Sequence, residues 1–312
     1  MGSRPTCWSW RPSYRELGGL CFGRSRPWAD DSDWSWGPSA ASTPSSRFQE
    51  VRCPVATGEL VTRHALESFL DRLRRTPHGK DFILKGGIVL AGYGIRRSTK
   101  DVDSEAISAS VTAAHIEQVV MDVAAVEVED GLELDRSSLD VQTIRGAADY
   151  PGLRMRVHGT VGTARVVLAW DISTGDPVVP LPTLVSIPRV LGEPIEMLGY
   201  APETMVAEKG VTILERGITS TRWRDYVDIV ALAQRGIDPD VLLASARAVA
   251  RYRRVTLRPV APSVAGYGAT AQAKWAAWRR KEGLEGMCKP DLDDQMREVI
   301  AILDPLFSRG PT

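Results

Sequence analysis

FILKGGIVLAGYGIRRSTKDVD, residues Phe82 to Asp103, is the stretch whose reading decides the fold. Phe82-Ile83-Leu84 is a short apolar run of buried-strand type, and Gly86-Gly87 follows it directly. After about two turns of helix the chain arrives at Asp101-Val102-Asp103. Alternate side chains of a strand face the same way, so Asp101 and Asp103 share one face while Val102 enters the core. Two carboxylates held side by side repel unless a cation lies between them. The oxygen pair suits Mg²⁺, a hard ion that leaves room for nucleotide phosphates. The glycines carry no side chain, so backbone amides at the start of the next helix can approach a phosphate closely.

Strand, Gly-Gly, helix, then a strand bearing Asp-hydrophobic-Asp is the nucleotidyltransferase signature. The fuller wording, Leu84-Lys85-Gly86-Gly87 with Arg97-Ser98-Thr99-Lys100-Asp101-Val102-Asp103, resembles the AbiEii/AbiGii-type nucleotidyltransferase toxins of bacterial toxin–antitoxin and abortive-infection systems.

Bulk properties leave this reading open. The 312 residues suffice for more than one core. Formal net charge is zero, so no overall basicity points to nucleic acid. Cys7, Cys21, Cys53 and Cys288 are widely separated and form neither a zinc pattern nor a disulfide framework. The sequence shows no apolar run long enough to cross a bilayer and no signal-peptide core, which makes the cytoplasm the expected location.

Residues 1–55 read as a disordered extension: Trp8, Trp10, Trp28, Trp34 and Trp36 stand among Arg, Ser, Pro and Gly without periodicity. Residues 56–190 are expected to form the nucleotidyltransferase domain and 191–312 a helical C-terminal domain. Leu66, Phe69, Leu70 and Leu73 recur at helical spacing ahead of the first strand. A helix is expected over Thr112–Val123, then strands over Ala124–Glu129, Leu139–Ile144, Leu153–His158 and Ala164–Ile172. In the third of these Leu153, Met155 and Val157 alternate with Arg154, Arg156 and His158, so His158 reads as a solvent-facing residue.

The nearly continuous apolar run Val166 to Trp170 suggests a central strand beside Asp101–Asp103, with Asp171 at its end. Three acids could hold two divalent ions and orient both an attacking hydroxyl and a departing pyrophosphate. On spacing alone, Asp171 as a cap of the turn before Gly175 is narrowly preferred. The similarity of Asp171-Ile172-Ser173-Thr174-Gly175-Asp176-Pro177-Val178 to the segment after the catalytic sheet of the AbiEii group reverses that preference. Asp171 then becomes the third acid and Asp176 the turn residue.

Pro177 to Pro194 reads as a linker. Beyond it, Pro202 opens a helix carrying Lys209 on or beside its inward stripe, where an ammonium needs an anionic partner. A further helix over Arg222–Gln234 carries Asp225 and Asp228, the latter open to an ion pair with its four-residue neighbour Arg224. Tyr200 to Thr204, Glu208-Lys209, Arg216-Gly217 and Arg222 to Ile229 are similar to the family's later motifs. The resemblance, which extends to the mycobacterial MenT toxins, implies metal binding by Asp101, Asp103 and Asp171. It also implies nucleotide contacts from Lys85, Gly86, Gly87, Ser98, Thr99, Lys100 and Lys209, and an Asp225 that orients or deprotonates the acceptor.

By the same resemblance the fold is α+β, a polymerase-beta-like mixed sheet with helices plus a helical C-terminal domain. The activity is Mg²⁺-dependent transfer of a nucleotide from a nucleoside triphosphate to an acceptor hydroxyl, the 3′ end of tRNA in the MenT relatives, under control of a cognate antitoxin. Thr99 stands where some relatives are phosphorylated by the antitoxin system. A small-molecule nucleotidyltransferase and a catalytically silent binding protein remain as alternatives.

The charge is unevenly spread, acidic over Asp101–Asp140 and basic through Arg247, Arg251, Arg253, Arg254, Arg258, Lys274, Arg279, Arg280, Lys281 and Lys289. Trp275 and Trp278 fall among these bases. Such a face suits an RNA backbone with exposed bases, and equally an ordinary solvated helix.

Overall fold

The computed structural model describes residues 57–107, 111–144 and 152–309, all within one compact unit spanning 53–312. The N-terminal extension expected to be disordered lies outside the described residues. Helix α1 (Thr57–Arg75) buries Leu66, Phe69, Leu70 and Leu73, the stripe read from its spacing. A short 3₁₀ turn, Pro77–Lys80, leads into strand β1 (Phe82–Lys85), helix α2 (Gly86–Gly92) and strand β2 (Val102–Ala106). Helix α3 (Ala113–Ala125) precedes the antiparallel run β3 (Leu132–Ile144), β4 (Gly152–Val161) and β5 (Ala164–Thr174). Strands β6 (Thr183–Ile187) and β7 (Ile195–Gly199) close the sheet. Six helices follow: α4 (Pro202–Arg216), α5 (Trp223–Ala233), α6 (Pro239–Tyr252), α7 (Ala261–Val264), α8 (Tyr267–Glu282) and α9 (Leu292–Phe307).

The sheet has seven strands in the order β3-β4-β5-β2-β1-β7-β6. It is mixed: β2 runs parallel to β5 and β1 parallel to β7, while the other neighbours are antiparallel. With helices around the sheet and a helical C-terminal region, the fold is α+β, a mixed sheet with helices as the sequence led us to expect.

Trp170 anchors the buried face of the sheet. It is fully buried, meets Phe82 and Phe69 edge-on at 4.6 and 5.5 Å, and donates from Nε1 to Ser104 Oγ at 2.7 Å. Phe69 belongs to α1, so Trp170 points to the α1 side. Alternation then sends its neighbour Asp171 to the opposite face.

Two expectations fail locally. Ala124–Glu129 is not a strand, because α3 runs on to Ala125 and the chain then turns through Gly131, whose φ of 72° lies in the left-handed region, before β3 begins. The Pro177–Pro194 linker contains β6, with Val185 and Ile187 buried and paired to Met197 and Ile195 of β7. Its prolines lie just outside the paired residues, where a missing N–H removes no ladder bond. His158 is exposed, as the alternation of β4 requires.

Replacing Trp170 by alanine opens a cavity at the centre of this face and strands the Ser104 hydroxyl. Chemical denaturation is expected to show a loss of about 3–5 kcal/mol for Trp170→Ala, and a loss below 1 kcal/mol would refute the central role given to this side chain.

Candidate active site

The sheet register sets the site. Lys85 of β1 pairs with Asp103 of β2, Asp103 with Asp171 of β5, and Asp171 with Arg154 of β4. Residues directly across from one another share a face, and adjacent strands lie about 4.8 Å apart. One row across four strands therefore reads cation, anion, anion, cation. All four line a cleft of about 660 Å³ whose further wall comes from α4, α5, α8 and Arg253, the residue after α6.

Asp101, immediately before β2, lines the same cleft. Its pKa is raised by burial and then by the neighbouring charge of Asp171. Burial, with Asp101 and Asp171 nearby, pushes Asp103 up to about 6. The carboxylate of Asp103 lies over Gly86, where a Cβ would stand 2.0 Å from Oδ2. Gly86 also has a φ of 68°, so two separate constraints require glycine there. A Cβ at Gly87 would meet the Thr99 hydroxyl at 2.2 Å.

Facing the acids is a chain of alternating charge. Lys209 of α4 donates to Asp225 at 2.8 Å and pairs with Asp228 at 2.9 Å, both on α5. Asp228 also takes the Arg97 fork at 2.8 and 3.0 Å, and Arg222 Nε reaches Asp225 at 2.7 Å. Burial alone would raise Asp225, but Lys209 and Arg222 outweigh it and hold its carboxyl at about 2. Burial works against the Lys209 ammonium, and Asp225 and Asp228 more than restore it. The proposed i,i+4 pair of Asp228 with Arg224 is not formed. Asp228 lies on the completely buried side of α5 and Arg224 bonds Glu282 instead.

At the other end of the cleft Lys85 donates to Glu105 Oε2 at 3.0 Å, with Glu208 and Asp176 at 3.8 and 3.9 Å. Asp176 follows β5 as a turn residue would, yet it is buried and held by the Arg253 guanidinium at 3.2 and 3.0 Å. Of the residues singled out from sequence, Lys85, Gly86, Gly87, Asp101, Asp103, Asp171, Lys209 and Asp225 meet in the one cleft. Ser98, Thr99 and Lys100 instead line an adjoining cavity of about 350 Å³, which shares Glu282 with the first. Trp275 is not an exposed base platform. It is fully buried, donates to the Lys289 carbonyl at 3.1 Å, and has Trp278 stacked on it at 5.1 Å.

Sequence reading missed Arg97, Arg154, Glu105, Glu208 and Arg253. Glu105 had a signal, since it continues the period-two face of Asp101 and Asp103. Arg154 had half of one, being on the polar side of an alternating strand.

The donor set fits a hard divalent cation: crowded carboxylates, two of which, Asp101 and Asp103, have raised pKa values, on a face backed by glycine. Among the described residues no three Asp, Glu, His or Cys side chains already stand in metal-holding geometry. Asp171 is engaged by Arg154, with Nε to Oδ1 at 2.6 Å.

Two outcomes follow from these pairings. Asp228→Ala leaves Arg97 and Lys209 buried without their shared anion and is expected to cost about 3–5 kcal/mol in a denaturant titration. Asp103 titrates higher folded than unfolded, so the folded state binds the extra proton between about pH 4 and pH 6, and stability is lost as pH rises through about 6. The Asp103→Asn protein should therefore melt above the parent at pH 7.5, by roughly 1–3 kcal/mol at about 1.4 kcal/mol per pKa unit. That gap should shrink toward pH 4, and a gap constant with pH would contradict the assignment.

Among curated proteins none matches this chain. Two crystal structures from Helicobacter pylori are similar to it. One, described as a candidate nucleotidyltransferase, is 16% identical, with a TM-score of 0.49 over 82% of this chain and 96% of that one. The other, JHP933, is 17% identical, with a TM-score of 0.48 over 82% and 94%. The sequence profile of the nucleotidyl transferase AbiEii toxins, of type IV toxin–antitoxin systems, matches residues 68–298. With three quarters of its length so matched, the chain belongs to the AbiEii nucleotidyltransferase toxin family.

Proposed function

We propose that this nucleotidyltransferase is a Mg²⁺-dependent toxin that transfers a nucleotide from a nucleoside triphosphate to the 3′ end of tRNA, which would block aminoacylation and stop translation. The observation that carries the reading is the row Lys85–Asp103–Asp171–Arg154, two adjacent acids bracketed by cations on an open face of the sheet. Asp101, Asp103 and Asp171 would hold magnesium. When bound, the ion supplies positive charge to the phosphoryl oxygens as charge develops on them.

The chain's own groups bind and orient. Gly86 and Gly87 let the α2 backbone approach the triphosphate closely. Lys85 and Lys209 add fixed positive charge on either side of it, with Ser98, Thr99 and Lys100 contributing from the adjoining cavity. Both lysines are protonated, since their buried anions overcome desolvation. A carboxyl held at about 2 is a weak base, so Asp225 acts by fixing Lys209 and orienting the acceptor. Electrostatic preorganisation of this kind is the main resource available to phosphoryl transfer. A cognate antitoxin is the partner, as the family implies. Among the described residues no helix is long and apolar enough to cross a membrane.

Incubation with labelled nucleoside triphosphates, Mg²⁺ and total tRNA is expected to label the tRNA. Asp101→Ala is expected to lower the rate by roughly 10³-fold, the scale of losing a central electrostatic group. No labelling by the parent protein, or equal labelling by Asp101→Ala, would overturn the reading. Label transferred to a small molecule with RNA absent would redirect it to a different acceptor.

A further inference from the structure

Arg154 lies at the end of the charged row, and it is joined to Asp171 by more than register. Its guanidinium forks over the carboxylate, Nε to Oδ1 at 2.6 Å and Nη2 to Oδ2, so both oxygens are taken. A fork of this kind takes one lone pair on each oxygen and sets a positive charge where a hard cation would bind. That engagement accounts for the third acid standing next to Asp103 in register without a ready three-ligand cage.

The surroundings distinguish Arg154 from Lys85, the cation at the other end of the row, and from Arg97. Lys85 and Arg97 are nearly enclosed and held by buried acids, so moving either would strand a charge. Arg154 has 36% of its side chain exposed, against 15% for Asp171. It can swing into the cleft and remain hydrated.

We propose that Arg154 is a positioning residue that stands in for the cation, holding Asp171 until a divalent ion takes its place. The inference rests on the acid cluster being a metal site, as the proposed function requires. Arg154 balances the crowded acids until the ion arrives, and its release couples that arrival to a guanidinium set free among groups that face the substrate.

Direct Mn²⁺ titration, by calorimetry or the spectrum of free Mn²⁺ at pH 7.5, separates the possibilities without an activity assay. Removing the competing fork is expected to tighten Mn²⁺ binding about tenfold in Arg154→Gln, the weight of one charge-assisted pair. The gain should largely vanish in the Asp171→Asn background, where no carboxylate remains to be freed. Arg154→Lys, which keeps the charge and loses the fork, should fall between parent and Arg154→Gln, and serves if the glutamine variant does not fold.

Unchanged or weaker binding by folded Arg154→Gln, or an equal gain with Asp171→Asn present, would overturn the proposal. Asp103→Asn checks the underlying reading. If it loses Mn²⁺ binding while Arg154→Gln shows no gain, the stand-in role alone fails. If Asp103→Asn binds as the parent does, the acid site and the role of Arg154 fall together.

Discussion

The repulsion between neighbouring carboxylates is the constraint around which this molecule is arranged. Parallel pairing of β2 with β5 puts Asp103 beside Asp171, with Asp101 one turn of the pleat away. Left alone, such a cluster would push its strands apart or take up protons. The register that creates the problem is fixed from underneath, by Val102 paired with Trp170 and by the Trp170–Ser104 hydrogen bond. A slip by one residue would turn Trp170 into the cleft and the acids into the core. Packing on the α1 side thus dictates the chemistry on the other side.

The rest of the cleft offsets that stress at two ranges. In the sheet itself, Lys85 and Arg154 close the row at either end. From across the cleft, α4 and α5 complete a relay, Arg97–Asp228–Lys209–Asp225–Arg222, buried up to its exposed end at Arg222, in which each charge has an opposite neighbour. Burying these charges is expensive, and only near-complete pairing makes it tolerable. The relay also ties the loop before β2 to the helical region, since Arg97 comes from the first and Asp228 from the second. Geometry at the acids therefore depends on helices more than a hundred residues further along the chain.

What could be read from sequence follows the range of the forces involved. Period-two alternation made Asp101, Val102 and Asp103 legible, and the apolar run before Asp171 placed β5 next to β2. Helical spacing found α1, α4 and α5. The strand β6 was hidden because its turn-forming prolines dominate a short paired segment, and the pairing with β7 is a tertiary fact. The pairing left open for Asp228 fails for the same reason: Arg224 is its neighbour four residues away, whereas the partners that bury it, Arg97 and Lys209, come from other elements. Arg154 was visible as a polar strand residue, but its meaning lies in the strand opposite.

The two buried acids Asp103 and Asp225 show how one cleft gives the same side chain different uses. Burial acts on both in the same direction. Asp103 has like charges as its nearest strong neighbours and is driven to about 6, whereas Asp225 lies between Lys209 and Arg222 and falls to about 2. An acid in the first setting holds its proton loosely near neutrality and gains most from an added cation. In the second setting the charge is already met, so the group resists both proton and metal and serves as a fixed anchor. Divergent titration of paired carboxyls commonly marks a division of labour in an active site. Here it follows from backbone register on one wall and helix packing on the other, which on the proposed function assigns binding to the sheet and alignment to the helices.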